Sequence, residues 1–151
     1  MIKIICIGKI KEKYFIEALE EYQKRLSKYT KLKIIELKDE PDANPVQALK
    51  KEKEQILKNI NETDNLVLLD PKGKEYTSEE LAEFINKELT YQSNITFIIG
   101  SSNGIEEIYN ILKESKKAKN NNYVREKIRQ TLNNNDNFVK LGTIWSLCIE
   151  S

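Results

Sequence analysis

The feature that most constrains the fold is an alternation between short apolar runs and segments with helical periodicity. The apolar runs are IKIICIGKI, KLKIIEL, NLVLLD and ITFIIG, each of a length suited to one strand. The segments that follow them are YFIEALEEYQKRLSKY, VQALKKEKEQILKNI, SEELAEFINKEL and GIEEIYNILKES. In the first of these, Phe15, Ala18, Leu19, Tyr22 and Leu26 form one apolar stripe. Four such alternations predict an α/β fold in which helices sandwich a mostly parallel sheet.

Breaker and capping residues set the expected boundaries of these elements. KDEPDANP is predicted to be a loop and PKGKEY a turn, and either Thr77 or Ser78 is expected to cap the next helix. Beyond Lys113 the chain is rich in Lys and Asn, with one short helix expected from Tyr123 to Leu132 and a final strand-like run, FVKLGTIWSLCIES. Because no repeat or linker interrupts the pattern, residues 1–151 are predicted to form a single domain.

Composition removes several classes of chemistry. The chain contains no histidine, which excludes Ser-His and Cys-His nucleophiles and the most common metal ligand. Cys6 and Cys148 lack metal-ligand spacing, so both are predicted to be buried thiols and no metal is expected. Neither a membrane-spanning apolar run nor a signal peptide is evident, which predicts a cytoplasmic protein without a membrane partner.

Charge is unevenly distributed along the chain. Residues 1–60 hold 14 Lys/Arg against 10 Asp/Glu, residues 61–112 hold 3 against 10, and residues 113–140 hold 8 against 3. Two basic blocks therefore flank an acidic one. They are compatible with nucleic-acid contact and equally with solvated helix faces. Tyr14, Tyr22 and Tyr29 could stack on bases, but their helical spacing favours packing in a core or an interface.

Two loops lie where ligands bind in open parallel sheets, beyond the carboxyl ends of the strands. The first runs from Leu69 to Gly73 and includes Asp70 and Lys72, with Lys74 directly after it, and the second is GSSNG at the end of FIIGSSNG. Glycines there permit a close backbone approach, although GSSNG is neither a dinucleotide fingerprint nor a P-loop. Asp70 could be a catalytic carboxylate or a turn residue, and the two lysines could bind phosphate or only solvent.

Several blocks together carry a resemblance to a known family. GKIKEKY, EYQKRLSKYTKLKIIELKDE, KKEKEQIL, LLDPKGKEYTSEELAEFI and FIIGSSNG occur in order within residues 1–112. They resemble the bacterial ribosomal large-subunit methyltransferase H family of the SPOUT class. The resemblance implies a homodimeric α/β knot domain that uses S-adenosylmethionine to methylate N3 of a pseudouridine in 23S rRNA of the ribosome. It also implies that Leu69 and Gly100 contact the adenosyl ligand, whereas it assigns no catalytic residue.

The chain departs from the family at two places. Ser101 replaces a glycine of the family's Ile-Gly-Gly-Ser-x-Gly loop, and residues 113–151 lack the Pro-His loop, the long knot helix and the Tyr-His-Lys end. The knot-forming segment is therefore expected to be incomplete. Comparing FVKLGTIW with the family's adenine-binding strand assigns four further ligand contacts: Leu141, Gly142, Thr143 and Ile144. A frame-altered end and true divergence both explain this tail, and an inactive pseudo-enzyme or RNA-binding domain is the alternative function.

Overall fold

The alternation of the sequence appears as alternating strands and helices. The computed structural model describes residues 1–39, 44–61, 63–100, 110 and 124–128, with the backbone alone for 70–72 and 124–128. The strands in these ranges are β1 (Ile2–Ile7), β2 (Leu32–Leu37), β3 (Asn65–Tyr76), β4 (Ile95–Ile99) and β5 (Val124–Ile128). The helices are α1 (Lys13–Leu26), α2 (Pro45–Lys58) and α3 (Ser78–Tyr91).

The strands form one sheet in the order β2-β1-β4-β3-β5. All four neighbouring pairs are parallel, which confirms the predicted α/β class with a mostly parallel sheet. The two central strands, β1 and β4, align Cys6 with Ile99, and β3 aligns Leu69 with the same Ile99. Cys6, Ile99 and Leu69 therefore lie side by side where β1 and β4 end, whereas β3 continues beyond Leu69 to Tyr76.

Each face of the sheet carries its own hydrophobic cluster, because strand side chains alternate between faces. The cluster on the α2 face consists of Ile5, Ile7, Leu37, Ile56, Ile60, Leu66, Leu68 and Ile98. The cluster on the α3 face consists of Cys6, Val67, Leu69, Ile95, Phe97 and Ile99, with Phe84, Ile85 and Leu89 of the helix packed against it. Every residue of β4 is buried, as its uninterrupted apolar sequence predicts.

Helix α1 is less covered than the other two helices. None of its residues is fully buried, and its predicted stripe is half-buried at Phe15 and Tyr22 and exposed at Leu26. The crossover from β1 to β2 contains α1, and the crossover from β3 to β4 contains α3; both run in the same direction across the sheet. Because such crossovers are right-handed, α1 lies on the α3 face. α1 therefore leaves part of its surface open to solvent.

Two sequence predictions are wrong within the described residues. Within the expected helix Tyr123–Leu132, the described residues Val124–Ile128 form the strand β5, which pairs in parallel with β3. The expected turn 71–76 belongs to β3. The register with β5 shifts within it, since Leu69 and Lys74 are both register partners of Glu126. Pro71 cannot donate a ladder hydrogen bond, which is consistent with a break at that point. In both cases pairing between distant segments overrides local preference.

The ends of two helices follow the expected capping chemistry. Asn44 accepts a hydrogen bond from the Val46 N–H at the start of α2, with Pro45 at the first helical position. Thr77 caps α3 in a capping box with Glu80, which decides between the two predicted caps. The helix expected after Gly104, the final apolar run and the knot-forming segment lie outside the described residues, apart from helical Asn110.

Candidate functional site

The two predicted ligand loops begin at the same edge of the sheet. Leu69 and Ile99 are register partners on β3 and β4, and Gly100 follows Ile99 directly. Neighbouring strands lie about 4.8 Å apart, so the backbones of Leu69 and Gly100 are within reach of one small ligand. The sheet order also reverses here, since β1 leads outward to β2 whereas β4 leads in the opposite direction to β5. Such a reversal opens a crevice at the carboxyl ends of the strands.

Leu69 reaches this edge mainly through its backbone. Its side chain is only 7% exposed and belongs to the cluster with Val67 and Ile99 on the α3 face. A ligand at the edge would therefore meet the Leu69 main chain and the rim of its side chain. The Asp70 and Lys72 side chains lie outside the described residues, so their proposed roles stay predictions.

Gly100 lies directly after β4. It is buried although it has no side chain, which means that neighbouring groups already surround its Cα. Because glycine adds no atoms beyond the backbone, a ligand that reaches this point would meet the main chain directly. Ser101, the departure from the family loop, lies outside the described residues.

Gly8 is a further residue of this edge, and no sequence motif marks it as a site residue. Gly8 follows β1, next to the end of β4, and has a φ of 102°, in the left-handed region that favours glycine. Its N–H donates to the Leu37 carbonyl oxygen at 2.9 Å, and the Ile10 N–H donates to the Glu36 carboxylate at 3.1 Å. These bonds fix the loop between β1 and α1 beside the crevice. The signal that could have found Gly8 is a glycine directly after a buried strand.

Buried charge is concentrated at the opposite edge, where the strands begin. The Lys3 ammonium lies 2.6 Å from the Asp64 carboxylate and donates to the Asn59 carbonyl oxygen at 3.0 Å. The same carboxylate accepts the Asn61 N–H at 3.1 Å. Glu52, also buried, lies halfway along α2. Among the side chains that the structure describes, none of these charges reaches the edge with Leu69 and Gly100, and no general base is identified there.

Two general features concern ligands and membranes. Within the described ranges, no three side chains of the His, Cys, Asp and Glu types gather in a way that could hold a metal ion. In the same part of the chain, no helix has both the length and the apolar character needed to cross a bilayer. Leu141, Gly142, Thr143 and Ile144 lie outside the described residues, so their assignment to the ligand site stays a prediction.

The family model that matches this chain covers both loops of this edge. A family model described as a predicted SPOUT methyltransferase matches residues 1–118. A protein of Caldicellulosiruptor saccharolyticus, named ribosomal RNA large subunit methyltransferase H, is 47% identical over 110 residues, which are 71% of each chain. A protein of the same name from Clostridium kluyveri is 51% identical over 111 residues, 69% of this chain and 70% of the relative. A putative one from Methanococcus maripaludis is 46% identical over 113 residues, 70% and 71% of the two chains.

Proposed function

Because the chain belongs to the SPOUT methyltransferases, in the ribosomal RNA large subunit methyltransferase H family, we propose that it methylates N3 of a pseudouridine in 23S rRNA. The proposed methyl donor is S-adenosylmethionine, and no metal takes part. The observation that carries the proposal is the register of β3 and β4, which brings Leu69 and Gly100 to one edge of the sheet. Both residues lie within the part of the chain that the family model matches.

The edge has properties that suit an adenosyl group. A flat, uncharged heterocycle needs backbone hydrogen-bonding groups and an apolar surface, and the Leu69 and Gly100 region offers both. When bound, S-adenosylmethionine supplies a methyl group already activated by its sulfonium. The chain then has to hold the nucleobase in line with that methyl group and exclude water, because orientation alone accounts for much of the rate. No described side chain is assigned the pseudouridine N3 proton.

The remaining parts of the proposal concern segments and partners. Leu141, Gly142, Thr143 and Ile144 would complete the pocket from the opposite side, within one domain that spans residues 1–151. The active species would be a homodimer in the cytoplasm that recognises rRNA of the large subunit. The relatives' names support rRNA as the substrate class.

Calorimetric titration of the full chain with S-adenosylmethionine tests the proposal. We expect saturable binding by the wild type and its loss in Gly100→Trp, because the indole would occupy the space at the end of β4. Ser93→Trp is the matched control, since it adds the same side chain at an exposed position near the opposite edge and should leave binding unchanged. Methyl transfer is then measured with labelled donor and unmodified large ribosomal subunits.

The titration also has an outcome that contradicts the proposal. An absence of heat at millimolar S-adenosylmethionine, with the wild-type chain folded by circular dichroism, would exclude a working methyltransferase. RNA binding retained under those conditions would favour the alternative of an RNA-binding domain without a complete cofactor site.

A further inference from the structure

The end of α1 and the start of β2 form a surface of unusual charge. Between Tyr22 and Ile35 the sequence has five Lys or Arg residues and no Asp or Glu. Four of these are lysines, and they surround one tyrosine. We call this surface the basic end of α1, defined by Lys24, Lys28, Tyr29, Lys31 and Lys33, all of which are exposed.

The lysines of the basic end are not neutralised within the part of the chain that the structure describes. The nearby Arg25 is engaged with Glu21 at 2.9 Å, and Lys13 at the other end of α1 is engaged with Glu17 at 3.8 Å. No described carboxylate forms an ion pair with any lysine of the basic end. The local field is therefore positive and can attract a polyanion.

Helix electrostatics and sheet-edge protection explain only part of this surface. Cations near the end of a helix are favoured by its dipole, which accounts for Lys24 and in part for Lys28. Lysine on an edge strand discourages strand addition, which accounts for Lys33. Neither effect accounts for Tyr29, an aromatic residue that is 85% exposed.

Tyr29 is held in place by its backbone while its side chain points into solvent. Its N–H donates to the Leu26 carbonyl oxygen at 2.9 Å, and the Thr30 N–H donates to the same oxygen at 3.0 Å. The ring is thus presented from a fixed turn amid the lysines. An exposed aromatic ring among cations is the combination that binds a nucleic-acid strand, through stacking on a base and contacts to phosphates.

We propose that the basic end of α1 is an RNA-anchoring surface, at which the lysines contact phosphates and Tyr29 stacks on an unpaired base. This inference rests on the proposed function for the identity of the polyanion. The surface is separate from the methyl-transfer edge, because α1 begins after the carboxyl end of β1 and its 14 residues extend away from it. At 1.5 Å per residue, the anchor lies about 21 Å further along the helix.

A second copy of the chain is the competing partner. The segment 61–112 is acidic and could in principle face the lysines of another molecule. An RNA strand is favoured because the basic end combines an exposed ring with lysines that form no ion pair with any described carboxylate, whereas an acidic protein surface would require no ring. The oligomeric state is therefore measured alongside RNA affinity.

The test compares two pairs of lysines with equal charge. Lys28→Gln/Lys31→Gln removes two charges from the basic end, and Lys50→Gln/Lys58→Gln removes two exposed charges from α2 on the other face of the sheet. The probes are a fluorescein-labelled mixed-sequence single-stranded RNA and purified large ribosomal subunits. For the first pair we expect affinity to fall about tenfold, with a slope of log K against log salt that is shallower by about 1.4. The second pair should change affinity less than twofold.

Tyrosine variants separate stacking from charge. Tyr29→Ala should weaken RNA binding about tenfold without changing the salt slope, whereas Tyr29→Phe should bind like the wild type. Thermal unfolding of every variant checks that the fold is retained.

Three outcomes would overturn the inference: equal weakening by both lysine pairs, no weakening by either pair, or a changed oligomeric state with unchanged RNA affinity. S-adenosylmethionine binding is measured in the same samples. Wild-type chain that anchors RNA through the basic end but binds no donor refutes the proposed function and supports the anchor. Methyl transfer that is unchanged by substitution of either lysine pair supports the proposed function and refutes the anchor.

Discussion

At the edge where the strands begin, charged and polar groups are hydrogen-bonded to one another, and the Lys3 and Asp64 pair among them is buried. Lys3 is paired with Asp64, the Asn65 amide donates to the Glu88 carboxylate, and the N-terminal ammonium donates to the Ser93 carbonyl oxygen at 2.8 Å. At the edge where β1 and β4 end, the Leu69 side chain is apolar and Gly100 has none, although the Glu36 carboxylate accepts the Ile10 N–H nearby. One edge is stabilised by directional bonds between charged and polar groups, and the other has no buried ion pair among its described residues.

The difference has a physical reason. A buried charge is tolerated only when its partner is fixed, so the edge with Lys3 and Asp64 cannot rearrange without a large loss of stability. An edge of glycine and apolar groups has no such requirement, and a ligand can bind there without breaking ion pairs. The first edge is therefore expected to respond to mutation in stability and the second in binding.

The largest effect is expected from Asp64→Ala. The substitution leaves the Lys3 ammonium buried without its carboxylate and removes the acceptor of the Asn61 N–H. Loss of one partner from a buried pair lowers the free energy of unfolding by about 3–5 kcal/mol. Urea unfolding followed by circular dichroism measures the change.

A double variant sharpens this result. In Lys3→Met/Asp64→Leu both charges are replaced by apolar groups of similar size, so we expect the double variant to be more stable than Asp64→Ala alone. A decrease below 1 kcal/mol for Asp64→Ala would mean that the pair is hydrated and that the two edges do not differ as described.

Gly8→Ala tests the opposite edge for a purely conformational requirement. The φ of 102° at Gly8 is unfavourable for a residue with a Cβ, so the free energy of unfolding should fall by about 2 kcal/mol. Gly8→Asn is the matched variant and should lose less, because asparagine tolerates positive φ better than alanine. Equal losses for Ala and Asn in urea unfolding would show that crowding, and not φ, makes glycine necessary.

Much of the difference between the two edges of the sheet could be predicted from sequence, but the polar contacts where the strands begin could not. The apolar runs around Ile5 and Phe97 predict parallel strands, and parallel strands bring their carboxyl ends together, which is why the two loops could be placed at one edge in advance. The choice of Leu69 and Gly100 within those loops came from the family resemblance. The bond between Lys3 and Asp64 joins residues 61 positions apart, and no local pattern indicates it.

The same limit explains the two errors of secondary structure. The segment 124–128 has weak apolar character, and its extended conformation depends on pairing with β3. Residues 74–76 remain in β3 for the same reason, since Lys74 and Tyr76 face β5. Long-range pairing of this kind cannot be recognised from periodicity within one segment. The exposure of Tyr29 was likewise not predictable, because its helical spacing favours packing.

Thr77→Ala tests whether the start of α3, which follows β3, is satisfied without a ligand. Thr77 Oγ1 accepts the Glu80 N–H at 3.2 Å, and the Glu80 carboxylate accepts the Thr77 N–H at 2.7 Å. Removing the hydroxyl should lower the free energy of unfolding by about 1 kcal/mol. Ser78→Ala, one residue further on and outside the cap, should change it far less. Equal effects on thermal unfolding would argue that the capping box contributes nothing.

The smallest effect is expected at the exposed pair of Glu21 and Arg25 beside the basic end of α1. The hydrogen bond and charge of Arg25 lower the pKa of the Glu21 carboxyl, and the same contact raises the pKa of Arg25. A depressed carboxylate pKa contributes stability above the ordinary glutamate pKa, and that contribution is lost as pH falls through the lowered value.

Arg25→Gln should therefore return the Glu21 pKa toward its ordinary value in a carbon-detected NMR titration. It should change thermal stability only slightly at neutral pH, since both groups are exposed to solvent. Below the lowered pKa the variant and the wild type should be equally stable. A large loss of thermal stability at neutral pH would mean that this exposed pair stabilises the chain as much as the buried pair of Lys3 and Asp64. Exposure to solvent would then not explain a difference between the two ion pairs.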